Sequence, residues 1–215
     1  GGKSSGYYAD VTDEESLTKV KPLIESQHGS VAVLINAAGG NMPGAVIRPE
    51  QTFLDLDNDA LRQVMDLNYL GTVFPVKVFL PLLLKNGGGT ILNISSMAAS
   101  RPMTRVVGYA SAKAAIDNLT KWLAVELASK HGPSFRVNAL APGFFLTEQN
   151  RTLLTQEDGS LTQRGTQIIG HTPMNRFGNP DDLLGALHWL CSDASKFVTG
   201  TTVAVDGGFS AYSGV

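Results

Sequence analysis

Four short, nearly unbroken apolar runs limit what this chain can fold into: residues 31–38 (VAVLINAA), 90–95 (TILNIS), 136–141 (RVNALA) and 202–206 (TVAVD). A strand with one wet face alternates apolar and polar residues. A strand buried on both faces reads as a continuous apolar run, so these four suit a parallel sheet covered by helices on each side. The segments between them carry helix-start signals. Thr12 followed by Glu15 reads as a capping box, and Asn179, Pro180, Asp181 and Asp182 supply a cap, a first-turn proline and first-turn acids. With a further strand leading into Asp10, the order reads β-α-β-α-β-α-β-α-β. Parallel strands joined by right-handed helical crossovers give an α/β, doubly wound parallel sheet, with ligands at the carboxyl ends of the strands. The 215 residues contain no internal repeat or low-complexity segment, so residues 1–215 are read as one domain.

Composition excludes several classes of function. A formal net charge of -2 with no basic run gives no surface for nucleic acid, and none is expected as a partner. The longest apolar stretch, residues 73–84, is broken by Pro75, Lys77 and Pro81 and falls short of the roughly 20 residues that span a bilayer, so no membrane helix is expected. A single cysteine, Cys191, and a start that does not read as a leader peptide favour a cytoplasmic protein. His28, His131, His171 and His188 lack metal-ligand spacing, and no metal is expected.

Residues 110–128 read as a long helix with two apolar stripes. Ile116, Leu119, Leu123 and Leu127 line one face; Ala115, Trp122 and Val125 line another. One stripe would face the sheet. The other needs either an internal neighbour or the same helix of a second copy, giving a homodimer or tetramer.

That helix also begins with chemistry. Tyr109 and Lys113 stand one turn apart on the same face. A phenol titrates near 10, and a neighbouring ammonium is expected to lower that value and make Tyr109 a usable general acid or base. Tyr-x-x-x-Lys alone is a common accident. Here it follows Ser96, at the end of the run closing in Asn93-Ile94-Ser95-Ser96; Asn36-Ala37-Ala38-Gly39 closes the preceding run, Asn68 lies in the helix between, and Pro142 to Thr147 (PGFFLT) follows the next. The ordered set is far more specific than any of its members.

From Asp10 onward the set resembles the short-chain dehydrogenase/reductase family, which implies a Rossmann-like fold and an NAD(P)-dependent oxidoreductase acting on an alcohol or ketone. The resemblance implies a catalytic tetrad of Asn68, Ser96, Tyr109 and Lys113. In it Tyr109 exchanges the proton and Ser96 binds the substrate oxygen. Lys113 holds the nicotinamide ribose and tunes Tyr109, while Asn68 anchors a water. It also implies cofactor contacts from Asp10 and Val11 at adenine, from Asn36, Ala37, Ala38 and Gly39 along the adenosine and ribose, and from Pro142, Gly143, Phe145 and Thr147 at the nicotinamide end. NAD is the expected cofactor, with NADP not excluded. No glycine-rich turn precedes Asp10, so the first βαβ phosphate-binding unit of the family is expected to be missing, and the chain to bind dinucleotide weakly.

Residues 97–109 (MAASRPMTRVVGY) and the stretch 143–178 look like those of the D-mannonate oxidoreductases, which interconvert D-mannonate and D-fructuronate with NAD. A sugar acid needs a cation for its carboxylate and partners for its hydroxyls, and Ser96, Arg105, Gln149, Asn150 and Arg151 are the candidates. The alternatives are a reductase of 3-oxoacyl thioesters or of another sugar or polyol, with a less polar pocket, or a catalytically inactive truncated protomer.

Overall fold

The computed structural model describes residues 2–148 and 150–214. Four strands form a single parallel sheet in the order β1 (Val33–Asn36), β2 (Gly89–Ile94), β3 (Phe135–Pro142) and β4 (Thr202–Val205). All four carboxyl ends therefore open on one edge. Among the described residues the α-helices are α1 (Glu14–His28), α2 (Asn58–Met65), α3 (Gly71–Lys85), α4 (Val107–His131), α5 (Arg151–Leu154), α6 (Gln163–Gly170) and α7 (Leu184–Cys191).

The apolar runs work as two-faced strands. Ile91 and Val137 pack with Val76 and Leu83 of α3 and Leu123 and Leu127 of α4, while Leu92 and Leu140 pack with Leu190 of α7. Successive strand residues point to opposite faces, so α3 and α4 cover one side of the sheet and α7 the other. This corrects the expectation of uniformly right-handed crossovers. Both β2–α4–β3 and β3–α7–β4 join adjacent parallel strands in the same direction, and with their helices on opposite faces the two have opposite hands. The second connection, residues 143–201, is long enough to carry α5 and α6 along the sheet before α7 reaches the far face.

Three further local expectations are corrected. The residues leading into Asp10 form no strand, because a strand exists through pairing and nothing described pairs with them; Tyr8 is 95% exposed. The N-cap of α1 is Asp13, whose carboxylate accepts from the Glu15 amide; Thr12 instead donates from its own amide and hydroxyl to Asp10 Oδ1. Pro75 and Pro81 do not break the helix but lie inside α3, which continues from α2 through a π-helical turn, Asp66–Leu70. The continuous helical run Asn58–Lys85 is long and apolar enough by length and composition to cross a membrane. Its apolar residues Val76, Val78, Phe79, Leu82 and Leu83 are buried within the fold, which accounts for that composition. The Asn179 cap forms as read, with Asp182 returning the hydrogen bond.

Candidate active site

The carboxyl edge of the sheet is tied together by buried amides. Asn36, at the end of β1, donates to Asn93 Oδ1 (2.9 Å), and Asn93 donates to the Thr120 hydroxyl of α4 (2.9 Å). Buried polar groups persist where they are paired, and this chain of three fixes β1, β2 and α4 relative to one another.

The π-helical turn places Asn68 in the same layer, wholly buried. Its side chain donates to the carbonyls of Gly40 (2.7 Å) and Val64 (2.8 Å) and accepts from the Gly40 amide (3.2 Å). Asn68 thus holds the turn after β1. A β-carbon on Gly39 would stand 2.7 Å from Asn68 Oδ1 and 3.2 Å from Lys113 Nζ, which explains the glycine there.

Lys113, 4% exposed, donates from Nζ to the Ile94 carbonyl at 2.8 Å and stands 5.5 Å from the centre of the Tyr109 ring. Burial pulls its ammonium down to about 8, opposed by the charge of Asp117. Tyr109 shifts the other way from the sequence expectation. Burial raises its phenol above the usual range, and the opposing influence is the neighbouring Ser96 hydroxyl rather than the lysine. In a desolvated pocket the cost of a phenolate outweighs a partner that shares the same burial.

Ser96 and Tyr109 open into a cavity of about 570 Å³ with Asn150, Gly143 and Phe144. Phe144 lines this cavity; Phe145, the neighbour singled out from the sequence, is buried against Gly178 and lines a different one. Pro142 ends β3, and Gly143 packs so closely on Asp206 that a β-carbon would lie 2.6 Å from its Cα. Thr147 is exposed, with its amide donating to Asn150 Oδ1.

At the other end of the edge, Ala37, Ala38 and Gly39 are exposed, giving a bare, small-residue backbone that a flat group can approach. Val11 packs on Gly71 at the start of α3, beside the Asn68 turn, and Asp10 is exposed next to it, with the Thr12 amide and hydroxyl holding its carboxyl below the usual range. These surfaces and the buried ammonium fit a dinucleotide lying along the edge. Among the described residues no group of three or more His, Cys, Asp or Glu gathers as for a metal ion.

The substrate side departs from expectation. Of the proposed cations, neither Arg105 nor Arg151 lines the Tyr109 cavity; Arg164 does. Arg105 adopts a positive φ of 75° and gives its carbonyl to the Ile47 amide, and Arg151 opens the exposed first turn of α5. Asn150 lines the cavity, with its side chain bonded to the Phe145 carbonyl and the Thr147 amide, and Gln149 lies outside the described residues. No sequence signal pointed to Arg164: it reaches the cavity from α6, which Thr162 caps through the Gly165 amide and Ile168 anchors by burial.

The model of a family described as enoyl-(acyl carrier protein) reductase matches residues 1–210. The chain belongs to the short-chain dehydrogenase/reductase family of nicotinamide-dependent oxidoreductases. It is 48% identical over 224 residues to the "Uncharacterized oxidoreductase UxuB" of Bacillus subtilis (strain 168), covering 100% of this chain and 80% of the relative. It is 35% identical over 208 residues to the 7alpha-hydroxysteroid dehydrogenase of Escherichia coli (strain K12), covering 97% of this chain and 75% of that protein. Among solved structures, a proposed D-mannonate oxidoreductase from Haemophilus influenza with bound NAD superposes with a TM-score of 0.93 at 45% identity, over 100% of this chain and 80% of that one.

Proposed function

We propose that this oxidoreductase interconverts a sugar acid and its keto form, D-mannonate and D-fructuronate being the leading pair, with NAD as the carrier. The observation that carries the chemistry is that Ser96 and the half-buried Tyr109 line one cavity, with the Lys113 ammonium 5.5 Å from the centre of the Tyr109 ring. The solved relative with bound NAD and the name given to that relative support the cofactor and the substrate class.

When bound, the reduced nicotinamide supplies the hydride that the substrate carbonyl carbon accepts. Ser96 donates to the carbonyl oxygen and orients it. Tyr109 delivers its proton to that oxygen as negative charge develops there. Lys113, fixed by the Ile94 carbonyl, would hold the ribose of a bound cofactor with its remaining protons, and its charge would stabilise the phenolate left on Tyr109. Asn68 holds the Gly39–Gly40 turn in place through its bonds to the Gly40 amide and carbonyl. Through the same reading Trp122 and Val125, which are 58% and 69% exposed on α4, are assigned to the contact with a second copy of the chain.

A second reading has its own support. Met97, Met103, Val106, Phe144, Leu153 and Leu154 make much of the cavity wall apolar, as a 3-oxoacyl thioester or another weakly polar ketone would require. Assays of D-fructuronate, fructose, 5-ketogluconate and an acetoacetyl thioester with NADH decide between them. We expect D-fructuronate to be reduced with the highest kcat/KM; preference for the thioester removes the sugar-acid reading.

A further inference from the structure

The cavity that holds Ser96 and Tyr109 is lined, among the described residues, by a single charged side chain, Arg164. Arg164 also lines an adjoining cavity of about 330 Å³, so this residue belongs to the walls of both. Among the described residues no carboxylate pairs with it: the ion pairs of the fold all lie elsewhere. The neighbouring charge is of the same sign. Arg105 lies close enough that its charge, added to the larger effect of burial, pushes the Arg164 guanidinium below the usual arginine range. An arginine remains protonated through such a shift, so the wall carries a positive charge at any ordinary pH.

A partly buried guanidinium with a like charge nearby and no ion-pair partner among the described residues is costly unless something negative enters the cavity. The five donors of that group suit the two oxygens of a carboxylate. A substrate with its reacting carbon at Ser96 and Tyr109 would extend across the cavity to this wall, past Asn150, whose amide is committed to the Phe145 carbonyl while its Oδ1 accepts from the Thr147 amide. We propose that Arg164 is the specificity-determining residue of the site, binding the carboxylate of a hydroxy acid substrate, and that Arg105, which does not line the cavity, does not touch that carboxylate. This rests on the sugar-acid reading above and assigns that reading a receptor other than Arg105 or Arg151. It also accounts for a mixed wall: the charge selects the acid group, and the apolar side chains exclude water around the reacting carbon.

The test is calorimetric titration of the full chain with D-gluconate, an anionic hydroxy acid, and D-glucitol, its uncharged counterpart, in the presence of NAD. The proteins are wild type, Arg164→Ala, Arg164→Lys, Arg105→Asn and Arg151→Ala, each checked for an unchanged thermal transition. Arg164→Ala should weaken D-gluconate roughly ten- to a hundredfold, the range for loss of one charge-assisted contact, and D-glucitol less than about threefold. Arg164→Lys should recover part of the loss, because a point charge remains without the fork. Arg105→Asn, chosen because asparagine tolerates a positive φ, and Arg151→Ala should each shift D-gluconate by less than about threefold. If wild type fails to prefer D-gluconate over D-glucitol, the sugar-acid reading falls and the Arg164 assignment falls with it. If wild type prefers D-gluconate but Arg164→Ala keeps that preference, or Arg105→Asn or Arg151→Ala abolishes it, the assignment to Arg164 alone is wrong and the sugar-acid reading stands.

Discussion

Lys113 should make the folded protein more stable as the solution becomes alkaline. Its ammonium is 4% exposed, and burial brings its pKa from 10.5 to about 8. Between those values the unfolded chain holds the proton and the folded chain has released it, so the unfolded state binds more protons and stability rises with pH. The penalty is present in full below about 8 and disappears as pH passes through the unfolded value. A difference of two to three pKa units corresponds to about 3 kcal/mol, of which about 2 kcal/mol should be relieved between about pH 7 and about pH 9.5. Lys113→Met removes the titration. It also strips the Ile94 carbonyl of its donor, a cost of roughly 1–3 kcal/mol that does not vary with pH. Urea unfolding of wild type and Lys113→Met at both pH values separates the two effects, because the loss of the hydrogen bond cancels in the difference. Wild type should gain about 2 kcal/mol relative to the variant at the higher pH. A difference independent of pH would show that the lysine is not desolvated as the geometry requires, and a change of opposite sign would place a carboxylate beside it.

Three further outcomes are expected. Tyr109→Phe should retain the fold, because the ring packs with Ala45, Ala60 and Val64, yet lose most of the turnover in steady-state assays, roughly a hundredfold or more; near-normal kcat would remove Tyr109 as the proton donor. Arg136 is 7% exposed in β3 and its guanidinium donates to the carbonyls of Leu190, Ser192 and Val198 and to the Thr90 hydroxyl, so Arg136→Met should cost about 3 kcal/mol and lower the melting temperature by roughly 5–12 °C in calorimetry. Trp122→Lys should leave the thermal transition of the isolated subunit nearly unchanged and shift the sedimentation profile to a smaller species, whereas an unaltered profile would take α4 out of the contact between copies.

The parts of the fold that could be read from the sequence are those governed by local pattern. The apolar runs became β1 to β4 with the expected parallel pairing, because a strand buried on both faces leaves the same pattern wherever it occurs. The Tyr109–Lys113 pair was readable because helical spacing alone puts them on one face. Other features depended on tertiary context. The segment leading to Asp10 has extended sequence character but no partner strand among the described residues, and the cap moved one residue, from Thr12 to Asp13, because the Thr12 hydroxyl donates to Asp10. The direction of the Tyr109 shift could not be read from spacing either. Spacing reports the distance to Lys113, whereas the balance of burial against charge depends on how deeply the whole pocket is covered.

The same distinction explains why the proton-transfer side of the cavity was legible and the substrate side was not. Ser96 lies two residues past the end of β2 and Tyr109 and Lys113 sit on α4, elements whose mutual position follows from strand pairing and from the buried Asn93–Thr120 hydrogen bond. Arg164 belongs to the long connection between β3 and β4, and it reaches the cavity only because α6 folds back so that Gly165 packs against the Leu154 carbonyl of α5. No periodicity within that segment encodes the return. Arg105 and Arg151 looked better placed because they are nearer in sequence to Tyr109 and Thr147, but proximity along a loop says little about direction. At Arg105 the positive φ and the bond from the Ile47 amide anchor the backbone of the turn, and its side chain does not line the cavity. A scaffold fixed by local pattern and a specificity wall built from a long crossover is the arrangement expected when one fold serves many substrates: the reacting groups can stay in place while the residue that selects the substrate is supplied from elsewhere in the chain.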